Sequence, residues 1–177
     1  MDGERWALRK HVRGAFSLAF VGWILVFFDI TISGFDILWD VAGYVLLAIA
    51  CGRLEDLHRA FAPVRWLAVI MALVSCVMMV ASRDVRVVWG WLGIIIEMFT
   101  IAWFCTAIAT AAIAHHEEEL AAIALNRRNW MMATFGVTLL AIVLIPRAEM
   151  VLILGVAAIV LICFFLGLVR RAGRTEW

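Results

Sequence analysis

Apolar residues run along this chain in six blocks, at 15–28, 37–51, 66–81, 87–114, 131–145 and 150–169, with charged residues gathered between them. Each block predicts a helix. Crossing about 30 Å of hydrocarbon takes about 20 helical residues, so blocks of this size predict membrane spans. The fourth is interrupted only by Glu97. Its 28 residues would reach about 42 Å at the helical rise, so it should tilt or protrude. The polar segment 115–130 follows, with Leu120, Ile123 and Ala124 on one helical face. It either extends the fourth helix as a stalk or begins a new helix near His115, where its leading acids would suit the helix dipole. Residues 82–85 and 146–149 predict short breaks.

Composition fixes the solvent. The chain of 177 residues is 66% hydrophobic and 16% charged, with a mean hydropathy of +1.03. Water-soluble domains are nearer half apolar and a quarter charged, so such a surface belongs in lipid. The length allows one helical bundle forming a single domain. A net charge of +1 gives no field for nucleic acid. Cys51, Cys76, Cys105 and Cys163 all lie in apolar runs and form no C-x-x-C pair, which favours packing over zinc or redox chemistry. The N-terminal segment has no A-x-A cleavage pattern, so the first block is expected to be retained as a membrane helix.

Charge then orients the spans. Twelve of the fifteen Lys and Arg residues lie at the N-terminus, at 52–65, at 127–128 and in the tail from Arg170. Only Arg83, Arg86 and Arg147 fall on the alternate side. Positive charge favours the cytoplasm, so the expectation is an all-α integral membrane protein of six spans in the inner membrane, both termini cytoplasmic.

The outward-facing stretch between the first two blocks holds Asp29, Asp36 and Asp40 and no Lys or Arg. Counting spans outward from Arg13 and Arg53 makes Ser33 and Gly34 the outermost point. Ser33 and Asp36 fit a capping pattern, and Gly34 suits a turn. Asp36 and Asp40 share a helix face, where like charges repel. A carboxylate held away from water needs a partner, a proton or a bound cation. Pairing with Arg83 or Arg86 would make the stretch a capped turn; without it the acids would mark a site.

The run Gly34-Phe35-Asp36-Ile37-Leu38-Trp39-Asp40, followed by Gly43-Tyr44, resembles a signature of small multi-pass bacterial membrane proteins, G-[FI]-D-[IL]-x-P-D-x-x-G-Y after the first helix. The segment around Leu54 and Phe61-Ala62-Pro63 is similar too, so the likeness covers about the first 80 residues. Trp39 stands where the signature has proline. The resemblance implies the class of protein and no activity.

Glu97 lies about 15 Å along the fourth block from Val87, near mid-membrane, where Ser75, Cys76 and Thr138 could share its layer. An isolated charge is costly there, so a protonated or hydrogen-bonded Glu97 is expected, either gluing helices together or loading a proton. Ala102, Thr106, Thr110 and Ala114 recur every fourth residue and would let another helix, or a second copy of the chain, come close. His11, His58, His115 and His116 all fall on the cytoplasmic side; with Asp56 and Glu119 they predict a solvated charged face more than a metal site. No phosphate loop, G-x-S-x-G or nucleotide motif occurs, and no cofactor is expected.

The leading expectation is passage or sensing of a small cation or proton, with Asp29, Asp36 and Asp40 as the outer mouth and Glu97 as the inner station. The second is an accessory subunit of a larger membrane complex. A weaker third is a lipid-modifying enzyme. A transporter should line one cavity with its polar groups, an accessory subunit should have a dry core, and an enzyme should pair its acids with a nucleophile or metal.

Overall fold

Helix formation runs past the ends of the apolar blocks. The computed structural model describes residues 2–27, 37–78, 81–144, 148–175 and 177. It has six α-helices: α1 (Asp2–Phe27), α2 (Ile37–Leu54), α3 (Ala62–Met78), α4 (Arg83–Ala114), α5 (Glu118–Leu144) and α6 (Ala148–Ala172). A 3-10 turn, Arg59–Phe61, leads into α3, and the described residues contain no strand. α1 starts thirteen residues before its apolar block because Glu, Arg, Lys and Ala propagate a helix in water as well as in lipid.

The polar segment after α4 proves to be the first half of α5. α4 ends in a Schellman arrangement: the Glu117 N–H donates to the Ala112 carbonyl at 2.8 Å and the His116 N–H to that of Ile113 at 3.1 Å. His116 takes the left-handed conformation, φ 62°, which glycine usually fills. The chain turns there, and Glu118 and Glu119 open α5 where the helix dipole favours acids.

Each helix packs on its neighbours in sequence, and α6 returns to α1. α4 takes its place in this ring between α3 and α5. Its second half buries Ile101, Phe104, Cys105, Ala107, Ile108, Ala109, Ala111 and Ala112 on one broad face and turns Trp103, Thr110 and Ile113 outward. The alanines let neighbours approach, and Phe104 meets Trp23 of α1, Phe61 of the 3-10 turn and Phe165 of α6 at ring-centroid distances of 5.8–6.1 Å. α1 and α2 touch backbone to backbone at Gly22 and Gly43.

Polar contacts gather at one end. His11 of α1 lies 3.7 Å from Asp56, Arg65 reaches Glu55 at 3.3 Å, and Arg171 reaches Glu119 at 2.8 Å. The Trp177 indole donates to the Ala172 carbonyl, stacks on Phe16 and meets His115 edge-on. The start of α1, the α2–α3 and α4–α5 links and the C-terminus therefore share this end. Largely exposed pairs add about 0–1 kcal/mol each, so their role is to fix register more than to supply stability.

All six helices turn large apolar side chains outward. On α3 these are Trp66, Ile70, Leu73 and Val77, a stripe at helical spacing. Among the described residues three segments are long and apolar enough to cross a membrane: Lys10–Phe27, Arg59–Met78 and Leu92–Ala114. A helical protein with an apolar exterior and such segments belongs with a membrane.

Candidate functional site

Asp29, Ser33, Gly34 and Asp36 lie outside the described residues. Arg83 opens α4 and Arg86 follows a turn later, but their side chains, and any pairing with the acids, also fall outside what is described. Asp40, Gly43, Tyr44 and Glu97 are described, and Asp40, Tyr44 and Glu97 lie within electrostatic range of one another.

Asp40 stands in the first turn of α2, and Tyr44, four residues on, shares its face. Gly43, beside Tyr44, is buried against α1 with no room for a side chain. That close approach presses α2 onto its neighbour, and Tyr44 is left 3% exposed. Glu97 enters from α4, partly buried, within the range at which its charge acts on Asp40 and on the Tyr44 hydroxyl. The sequence placed Asp40 at an outer mouth and Glu97 at an inner station; in the fold the two carboxyls lie within electrostatic range of each other. None of the ion pairs among the described residues includes Glu97.

Glu97 also opens on a cleft of about 370 Å³ lined by α1, α4, α5 and α6. Thr138 lines it, as does Thr134 one turn away on α5. Ser75, which the sequence placed in the same layer, is not in the lining. The remaining walls are apolar, among them Val26, Phe27, Met98, Ile101, Phe135 and Leu161. Sequence reasoning noted Tyr44 only as part of a motif and missed Thr134; the available signal was their four-residue spacing from Asp40 and Thr138.

The remaining candidates scatter. Thr106 donates to the Ala102 carbonyl and accepts from Arg128 of α5 at 3.3 Å, so this part of the small-residue stripe is used within the chain. Thr110 and Ala114 are exposed. His58 accepts from the Ala60 N–H at 3.1 Å, His11 faces Asp56, and Glu119 is taken by Arg171.

Chemically, the site offers two carboxyls from separate helices, a phenol within electrostatic range of both, and a mostly apolar cavity with two hydroxyls. A hydrated metal ion would find few oxygens in that cavity to replace its water. A proton needs only a carboxyl and a hydrogen-bonded path. No protein-family model, curated protein or solved structure matches the chain.

Proposed function

We propose that the chain is a six-span inner-membrane protein with both ends in the cytoplasm, and that it passes protons between Asp40 and Glu97. The topology rests on the concentration of twelve of fifteen basic residues at one end. The three helices not already counted as spans, α2, α5 and α6, carry the same outward apolar side chains, including Ile49, Leu140 and Ile159. Reporter fusions at Trp177 and at Asp84 should therefore report opposite sides of the membrane. The same side for both would remove α3 or α4 from the set of spans.

One observation carries the proton reading. Asp40 of α2 and Glu97 of α4 lie within electrostatic reach of each other, and Glu97 opens on the cavity. Acids inside a membrane are costly and mark pathways, and the apolar walls favour a proton over a solvated cation. Asp29 and Asp36 would extend the path outward. The test is vesicle reconstitution with an imposed pH gradient and an internal dye. The unaltered chain should dissipate the gradient faster than protein-free vesicles. Glu97→Gln, which keeps shape and cannot titrate, should fall to the protein-free rate, and Asp40→Asn should lie between. An unaltered chain no faster than empty vesicles would sink the pathway and leave the accessory-subunit reading.

A further inference from the structure

A second concave site lies further along α1 and α6, toward the basic end of the bundle. α1 and α6 flank a groove of about 490 Å³ that contains Arg13, Arg170 and Arg174. Phe20 and Val21 of α1 give it accessible apolar surface, over the buried Phe16 of α1 and Val169 of α6. The helices stay close because Gly173 has no side chain: a Cβ there would come within 3.0 Å of the Phe16 Cβ.

The charges in this groove are of one sign. Arg170 lies in the last turn of α6 and Arg174 in the turn just past its end, and both line the groove, where like charges repel. Arg13 adds a third from α1. Arg171, between them in sequence, turns away to Glu119 on α5. Among the described residues no acid lines the groove, and none of their ion pairs uses Arg13, Arg170 or Arg174. All three are exposed. Arg65 and Trp66 begin α3 at this same end, with Trp66 turned outward as an interfacial aromatic would be.

We infer that the groove binds the headgroup of an anionic phospholipid. Guanidiniums hold phosphate by paired charge-assisted hydrogen bonds, and a basic recess between membrane helices suits an anionic head. The apolar part says which source of phosphate fits. From the arginines, Phe20 and Val21 lead along α1 into the apolar Lys10–Phe27 segment, so acyl chains have a wall to follow. Free phosphate would leave that wall unused. The assignment needs only that the chain lie in a membrane and is independent of the proton pathway.

The test uses the full chain in mixed micelles, comparing phosphatidylglycerol with phosphatidylcholine by the lipid retained on the purified protein. Phosphatidylglycerol should be retained about tenfold more than phosphatidylcholine. The Arg170→Gln/Arg174→Gln double variant should lose most of that preference, while Arg53→Gln/Arg59→Gln, which removes the same charge elsewhere at the basic end, should keep it. Equal retention of the two lipids overturns the inference, and that comparison stands even if the groove variant folds poorly. Equal losses in both double variants would assign the preference to diffuse surface charge. Displacement of the lipid by millimolar inorganic phosphate would reduce the groove to a simple anion site.

Discussion

Gly43→Ala is expected to destabilise the protein, and Gly43→Leu to separate α1 from α2. A Cβ at position 43 would meet Val26 Cγ2 at 2.7 Å, the Gly22 carbonyl oxygen at 2.9 Å and the Val26 nitrogen at 3.1 Å. Two of these three are backbone atoms, which cannot rotate away. Alanine would gain up to about 1 kcal/mol of helix propensity. Overpacking costs about 1–3 kcal/mol, and here it also loosens a contact running the length of two helices, so loss wins. The net should be about 1–2 kcal/mol for alanine and more for leucine. Gly22 is the reciprocal partner: its Cβ would meet the Gly43 carbonyl at 2.9 Å. The double alanine variant should therefore cost less than the two single losses added, because the first Cβ already makes room for the second. Gly136→Ala and Gly167→Ala, with nothing within 4 Å, should be neutral or slightly stabilising. Unfolding midpoints in detergent decide this, and a Gly43→Ala chain as stable as the parent would refute the close contact.

The same glycine shows what the sequence could and could not disclose. Gly43 was visible as part of a signature, but its reason, a backbone contact with Gly22, depends on which helix faces it. Gly22 carries no local mark at all inside an apolar run. The six helices were legible because hydropathy alternates with charge along the chain. Their ends were less so, because hydropathy reports lipid contact while hydrogen bonding decides the helix; α1 therefore begins at Asp2. The break at His116 was invisible since left-handed backbone is usually announced by glycine. At the site, Asp40 and Glu97 stood out as acids among apolar residues. Their proximity did not, because depth counted along two separate helices says nothing of tilt. Nor could charge counting foretell that Arg171 would turn to Glu119 while its neighbours turn to α1.

Phe104→Ala is expected to be the most damaging substitution in the aromatic core. Phe104 is fully buried, and its ring meets Phe61 at 5.8 Å, Trp23 at 6.0 Å and Phe165 at 6.1 Å. It joins α4 to α1, α6 and the 3-10 turn at once. In water such a truncation costs about 3–5 kcal/mol. In a bilayer the transfer part shrinks, since lipid tails are as apolar as the core, but the void and the lost contacts remain. About 100 Å³ of unfilled space at about 24 cal/mol per Å³ sets a loss of about 2–3 kcal/mol. Trp23 provides the contrast. Its indole Nε1 is buried with no hydrogen-bond partner among the described residues, a state that costs about 1–3 kcal/mol. Trp23→Phe keeps an aromatic ring facing Phe27, Phe104 and Phe165 and removes the orphaned donor. The lost ring volume offsets part of that gain, so Trp23→Phe should be close to neutral while Phe104→Ala lowers the unfolding midpoint sharply. If both substitutions cost the same, the indole nitrogen has found a partner such as a buried water, and Trp23 itself anchors the core.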